Sequence, residues 1–182
     1  MVSHCCFVYG TLMAPDILRT LIGRVPDIDS RPAYLPKGYS RHPVSGRAFP
    51  AVIANNKDYD RDQLLEERVQ GLLLTGMTSD ELEILDWFEA DEYERCSLPV
   101  SLRAMVSPNN NSSDDDSAGV MVGVDVDADV DVDADVYVWC AGDEYLDLKC
   151  SWSFGEFCTH KLESYLRSTV RPCREEYDLQ KK

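Results

Sequence analysis

The sequence predicts an α+β domain with a curved sheet or a small β-barrel. Predicted strands lie early and in the middle of the chain, predicted helices are few, and the strand–helix alternation of a doubly wound sheet is absent. The chain has 182 residues, of which 44% are hydrophobic, and this is enough for one domain with its own core. We therefore predict a single domain over residues 1–182.

The first predicted elements are a buried strand over residues 4–9 and a helix that begins near Pro15. The strand sequence HCCFVY is apolar and stops at Gly10. Proline suits the first turn of a helix, and Gly23 is typical of a helix end. Residues 24–56 contain five prolines, which indicates loops and short strands.

A second strand and helix are predicted in the middle of the chain. Residues 69–74 (VQGLLL) are typical of a strand, in which Gly71 indicates a bulge or a close approach of another backbone. Thr78 and Glu81 have capping-box spacing, so a helix should run from there to about Phe88. A strand pair over residues 98–106 and 136–140 and a last helix opening at Ser153 complete the prediction, with Trp87 expected in the core.

An acidic, low-complexity segment separates the last two predicted strands. Residues 107–136 hold nine Asp and no Lys or Arg, and the hexapeptide DVDADV occurs twice, at 125–130 and 131–136. An extended chain would place the repeated Asp on one face. Because Asp is a poor strand former and like charges repel, we predict a solvated insertion at residues 107–135. The spacing of an EF-hand calcium site is not met.

Composition excludes several classes of protein. A net charge of −15 argues against nucleic-acid binding, which needs a basic face. The apolar runs are too short to cross a membrane and the N-terminal sequence lacks a signal-peptide pattern, so a cytoplasmic protein is expected. The seven Cys form no C-x-x-C and the three His have no ligand spacing, which predicts free thiols and no metal site.

Two segments carry residues that suit chemistry. The first is residues 7–12 (FVYGTL), in which a buried strand enters a turn whose Gly10 lets a ligand approach and whose N–H groups can bind an anion. The second is residues 85–95 (LDWFEADEYER), where Glu89 follows two aromatic residues; such a carboxyl can have a raised pKa and can transfer protons. The simpler interpretations are a plain strand-to-helix turn and a solvated acidic helix end.

Taken together, these segments resemble a known family. F-V-Y-G-T-L and L-D-x-F-E-x-x-x-Y-x-R are similar to the motifs of the gamma-glutamylcyclotransferase-like superfamily, in particular its plant avirulence-induced (AIG2-like) branch. Further similar segments are RAFPA (residues 47–51), VQGLL (69–73), VYVW (136–139) and WSFGEF (152–157). The resemblance covers about residues 5–170 and implies a small mixed β-barrel with flanking helices.

The resemblance also implies an activity. Glu89 is expected to be the catalytic acid and base of an acyltransferase that converts a γ-glutamyl compound to 5-oxoproline by attack of the substrate's own α-amine. No cofactor or metal is implied, and the only implied partner is the small substrate. The residues expected to bind it are Tyr9, Gly10, Thr11, Leu12 and Met13. Tyr93 and Arg95 are expected to support Glu89, with packing and an ion pair to Asp86 as their simpler roles.

The alternative from another class is a non-catalytic ligand-binding or interaction protein on the same fold, linked to stress or plant defence. The presence of Glu89 favours the enzyme. A calcium-buffering acidic protein is a third hypothesis. Neither the leaving group of the substrate nor the oligomeric state follows from the residues.

Overall fold

The computed structural model describes residues 3–55, 68–103 and 129–182. The strands within these ranges are β1 (His4–Val8), β2 (Asp27–Ile28), β3 (Ala33–Tyr34), β4 (Tyr39–Pro43), β5 (Pro50–Ala54), β6 (Gln70–Met77), β7 (Tyr93–Leu102) and β8 (Val130–Trp139). The α-helices are α1 (Pro15–Ile22), α2 (Ser79–Glu89), α3 (Phe154–His160), α4 (Leu162–Tyr165) and α5 (Arg171–Gln180). A π-helical turn (Leu166–Val170) joins α4 to α5, and 3-10 turns follow β1, α2 and β8.

Five strands close into a barrel. Their order is β1-β8-β7-β3-β6, and β6 pairs back onto β1. The β1–β8 pair is parallel and the other pairs are antiparallel, while β2 pairs with β6 beside β3. Strands β4 and β5 form a separate antiparallel hairpin. The predicted α+β class and small mixed barrel are therefore confirmed.

Close contact between β1 and β6 requires Gly71. A Cβ atom at this position would lie 2.6 Å from the ring of Phe7 and would also strike the backbone of β1. Glycine therefore permits the close approach that the sequence predicted. The barrel interior is filled by the side chains of Phe7, Tyr9, Ala33, Leu35, Val52, Val69, Leu73, Val100, Leu102, Ala134 and Val136.

The helices pack on the outside of the barrel over a second apolar cluster. Leu82 and Leu85 of α2 face it, as do the apolar residues of α1. The capping box of α2 is formed, since Thr78 Oγ1 accepts from the Glu81 amide at 3.2 Å and the Glu81 carboxylate accepts from the Thr78 amide at 2.9 Å. Gly23 ends α1 with a φ of 81°. The capping box and the end of α1 are thus confirmed.

Strand β8 corrects the predicted acidic insertion. It starts at Val130 and pairs with β7 along ten residues, from Val130 opposite Leu102 to Trp139 opposite Tyr93. Residues 130–135 are therefore strand and not solvated loop. The earlier part of the predicted insertion, residues 107–128, lies outside the described residues.

The alternation of side chains explains why this acidic stretch forms a strand. Ala134 and Val136 are buried inside the barrel, and Val132 packs against the same cluster. The Asp residues between them point to the other face, where Asp135 lies 3.5 Å from Arg95 and the Asp131 carboxylate accepts from the Ser101 hydroxyl at 2.6 Å. Burial of one face thus outweighs the poor strand propensity of Asp.

Two further expectations need correction or refinement. Trp87, expected in the core, is 38% exposed and only its edge packs against Tyr177. The C-terminal helix opens at Ser153, whose hydroxyl accepts from the Glu156 amide at 3.3 Å, but it is broken into α3, α4, the π turn and α5.

In the described ranges, no helix is both long and apolar enough to cross a membrane.

Candidate active site

A cavity of about 180 Å³ lies between the turn after β1, the end of α2 and the C-terminal helices. It is lined by Phe7, Val8, Tyr9, Gly10, Thr11, Leu12, Arg47, Phe49, Pro50, Phe88, Glu89, Glu92, Tyr93, Tyr137, Tyr165, Thr169 and Cys173. Its volume is below the range of about 300–1,000 Å³ typical of drug-sized ligands, so it suits a group as small as an amino acid. The two segments singled out in the sequence therefore meet at one site.

The turn after β1 lines this cavity through residues 9–12. The Met13 amide donates to the Gly10 carbonyl at 3.1 Å, and the Ala14 amide donates to the Thr11 carbonyl at 3.0 Å. The amides of Gly10, Thr11 and Leu12 have no acceptor in residues 3–55, 68–103 and 129–182. Amides in the first turn of a helical segment are left unpaired in this way and can bind an anion.

Two features fix the conformation of the turn. The Arg41 guanidinium donates to the Tyr9 carbonyl at 2.7 Å and lies over the ring of Trp152. Gly10 lies close to Pro50, since a Cβ atom added at position 10 would be only 3.0 Å from Pro50 Cγ. A side chain at this position would crowd Pro50 at the start of β5, a constraint that differs from the ligand approach expected from the sequence.

Met13, expected among the binding residues, does not line the cavity. Its amide is used inside the turn, and its side chain packs against the apolar cluster under the helices. Tyr9, Gly10, Thr11 and Leu12 do line the cavity.

Glu89 is the last residue of α2 and turns its carboxyl group into the cavity wall. The residue is half-buried, and its carboxyl has no hydrogen-bond partner among the described residues. Burial of the carboxyl raises its pKa to about 8, and the charge of Glu92 adds to the effect. A carboxyl with such a pKa exchanges protons at physiological pH.

The end of α2 is anchored to the barrel one turn before Glu89. Arg95 on β7 binds both carboxylate oxygens of Asp86, at 2.8 and 3.1 Å. The Tyr137 hydroxyl donates to the same carboxylate at 2.8 Å, and the Tyr9 hydroxyl donates to the Tyr137 carbonyl at 2.6 Å. Arg95 does not line the cavity, so the ion pair that the sequence offered as its simpler role is the one observed.

Tyrosine rings form much of the remaining wall. The Tyr93 hydroxyl donates to the Pro50 carbonyl at 2.9 Å, and its ring packs edge-on against Trp139. Burial and the charge of Glu89 raise the pKa of Tyr93 and of Tyr165 above the usual range, so both remain neutral. Tyr93 thus combines the packing role with a place in the cavity wall.

The backbone after Glu89 is unusual. Ala90 has a φ of 51° and a ψ of −157°, and it is the one residue other than glycine with positive φ in the described part of the chain. An L-residue adopts such a conformation only where its surroundings impose it, at a cost of about 1–3 kcal/mol. Helix α2 therefore ends at Glu89, directly before this strained residue.

Several lining residues were not identified as site residues from the sequence. Glu92 was considered only in the simpler interpretation, as one acid of a solvated helix end, and Arg47 was noted only as part of a resembling segment. Tyr165, Thr169 and Cys173 lie at intervals of four residues, which places them on one helix face. That spacing was the available signal, but it does not distinguish a cavity wall from a core stripe. No group of metal-binding side chains occurs within the described ranges.

A protein-family model for gamma-glutamyl cyclotransferase, AIG2-like, matches residues 6–154. The chain belongs to this family. Curated relatives agree with it. The AIG2-like protein D of Arabidopsis thaliana is 34% identical over 166 residues, which is 91% of this chain and 86% of that protein. The AIG2-like protein C of the same plant is 29% identical over 169 residues, covering 93% and 77%.

Solved structures show the same fold as this AIG2-like chain. An Arabidopsis thaliana protein determined in solution superimposes with a TM-score of 0.54 and 25% identity, covering 92% of this chain and 89% of that one. A second Arabidopsis solution structure gives the same TM-score at 22% identity, covering 100% of this chain and 86% of that one. The recognition of the AIG2-like family from residues 7–12 and 85–95 is therefore confirmed.

Proposed function

We propose that this AIG2-like protein is a γ-glutamylcyclotransferase, which releases 5-oxoproline and an amine or amino acid from a γ-glutamyl amide. The observation that carries the proposal is the position of Glu89: a carboxyl with a pKa of about 8 and no protein partner within the described residues faces the same small cavity as the unpaired amides of residues 10–12. Family membership supports the reaction class.

The first step is deprotonation and ring closure. The α-ammonium of the substrate gives a proton to the Glu89 carboxylate, and the freed amine attacks the γ-carbonyl carbon. A C–N bond forms, and the carbonyl oxygen becomes an oxyanion. Because nucleophile and electrophile belong to one molecule, holding the substrate in a folded conformation supplies the proximity.

The second step is loss of the leaving group. Unpaired amides of Gly10, Thr11 and Leu12 are the donors available to the oxyanion, and donors fixed in advance are the most effective kind. The bond from the γ-carbon to the leaving nitrogen then breaks. Protonated Glu89 gives its first proton to that nitrogen, and the regenerated carboxylate takes the second proton from the ring nitrogen, which leaves the neutral amide N–H of 5-oxoproline. Glu89 passes this proton to the departing amine, which leaves as an ammonium ion, and the carboxylate is ready for another turnover.

Glu89→Gln tests the proposal, because it keeps the shape of the side chain and removes the titratable proton. We expect kcat for 5-oxoproline release to fall about 10²–10⁴-fold, with an unchanged circular dichroism spectrum. Glu94→Gln is the matched control, since Glu94 is exposed on β7 and does not line the cavity.

The assay begins with a panel of γ-glutamyl amino acids and amines given to the unaltered protein. Turnover that survives Glu89→Gln would remove Glu89 from the mechanism. Binding of γ-glutamyl compounds without any 5-oxoproline would instead indicate the non-catalytic alternative.

A further inference from the structure

A second cavity of about 390 Å³ adjoins the first. The two cavities share four lining residues, Arg47, Phe49, Tyr165 and Thr169. A molecule whose reacting end lies beside Glu89 can therefore extend into the second cavity past these shared side chains.

The second cavity differs from the first in charge. Two cations, Arg47 and Lys161, line it, and no carboxylate of the described residues does. Neither cation has an acidic side chain within 4.0 Å in the ranges that the structure describes. The first cavity shares Arg47 but also contains the carboxyl groups of Glu89 and Glu92. In a chain of net charge −15, two cations without acid partners beside the candidate active site point to an anionic ligand group.

Hydroxyl groups of α4 and of the π-helical turn also line the second cavity. The Ser164 hydroxyl donates to the Lys161 carbonyl at 2.9 Å, so its proton is already used. Ser168 and Thr169 lie in the π turn with their hydroxyl oxygens 3.4 Å apart, which leaves one of their two protons for a ligand. Turns of this type recur at functional sites.

We infer that the second cavity binds a carboxylate on the leaving group, so that the substrates are γ-glutamyl amino acids or short γ-glutamyl peptides. The inference rests on the proposed function, because it takes the second cavity as the place of the leaving group. Arg47 and Lys161 form charge-assisted hydrogen bonds with the carboxylate. A leaving group that carries an ammonium group would instead meet two like charges.

A matched pair of substrates tests this inference. γ-Glutamylalanine and γ-glutamylethylamine differ only in the carboxylate of the leaving group. We expect kcat/KM for γ-glutamylalanine to be about tenfold or more above that for γ-glutamylethylamine, because charge-assisted hydrogen bonds to the carboxylate stabilise the bound substrate. In the double variant Arg47→Gln, Lys161→Gln this ratio should approach one through a higher KM for γ-glutamylalanine. The single variant Lys161→Gln, whose residue lines only the second cavity, should lower the ratio and leave kcat for γ-glutamylethylamine unchanged.

Arg167→Gln is the control, since Arg167 is exposed on the same π turn and lines neither cavity. Equal kcat/KM for the two substrates, or a preference that survives the double variant, would overturn the inference.

A binding measurement separates this inference from the proposed function. Affinities of both compounds are measured by calorimetry on the Glu89→Gln variant, with and without the two cavity substitutions. If neither compound yields 5-oxoproline, the proposed function fails. Tighter binding of γ-glutamylalanine that is lost with Arg47 and Lys161 would still support the carboxylate site, whereas equal or absent binding would refute it.

Discussion

Glu89 shows how a single carboxyl couples the proposed chemistry to the stability of the fold. In the unfolded chain its pKa is near 4.5, and in the folded chain burial raises that pKa to about 8. The folded state therefore holds the proton more tightly. Below about pH 4.5 both states are protonated and the group has no effect, and between about 4.5 and 8 ionisation increasingly favours the unfolded state.

This difference predicts a pH-dependent melting temperature. Raising the pH from about 5 to 9 should lower the Tm of the unaltered protein by about 5 °C or more relative to the Glu89→Gln variant. The comparison cancels the general repulsion among the other acidic groups, which both proteins share. Parallel Tm curves for the two proteins, measured by calorimetry, would show that the carboxyl is not buried in the folded state.

The raised pKa of Glu89 was expected from the sequence, but the cause of its burial was not. The two aromatic residues before it suggested desolvation, yet Trp87 is 38% exposed. Phe88 does line the cavity, but the rest of the wall around the carboxyl comes from the turn after β1 and from Tyr165 and Cys173, which lie much later in the sequence. Residues so distant in sequence meet only through the tertiary fold, and this is also why Arg47 was not assigned a role.

At the scale of single elements, β8 shows that the alternation of apolar and polar side chains can outweigh the poor strand propensity of Asp. Ala134 lies inside the barrel and is 2% exposed, whereas its neighbour Asp133 is exposed. Ala134→Asp would place an unpaired carboxylate among apolar side chains and should lower the free energy of unfolding by about 3–5 kcal/mol. Asp133→Ala, the control on the opposite face, should change it by less than about 0.5 kcal/mol. Denaturant titration measures both.

Similar effects of the two substitutions would show that this stretch is solvated on both faces, as the sequence had suggested. Composition led to that expectation because six Asp in alternation repel one another as an isolated segment. For the three Asp within β8, pairing with β7 places Arg95 beside Asp135 and Ser101 beside Asp131, and it buries the intervening apolar residues. The capping box of α2 and the end of α1 at Gly23, in contrast, depend on residues within one turn and were predicted correctly.

For the whole molecule, the class of fold followed from the order of elements, and barrel closure followed only from the family resemblance. No local pattern states that β1 pairs with β6 on one side and with β8 on the other. Gly71 gave a partial signal, since a missing side chain indicates that another strand comes close. The π turn left no sequence signal beyond the helical spacing of residues 165, 169 and 173.

The DVDADV repeat, whose second unit (residues 131–136) lies in β8, has a consequence for how this tract can change in length. One unit is six residues, an even number, so gain or loss of a whole unit keeps every later side chain on its original face. We expect deletion of residues 125–130 to leave the Tm within about 3 °C, whereas deletion of Ala134 alone moves Asp133 into the barrel and should abolish the cooperative melt. A large Tm loss in the first variant would contradict this. Any gain or loss of an even number of residues keeps the alternation, so length variants of this tract should differ by even numbers of residues.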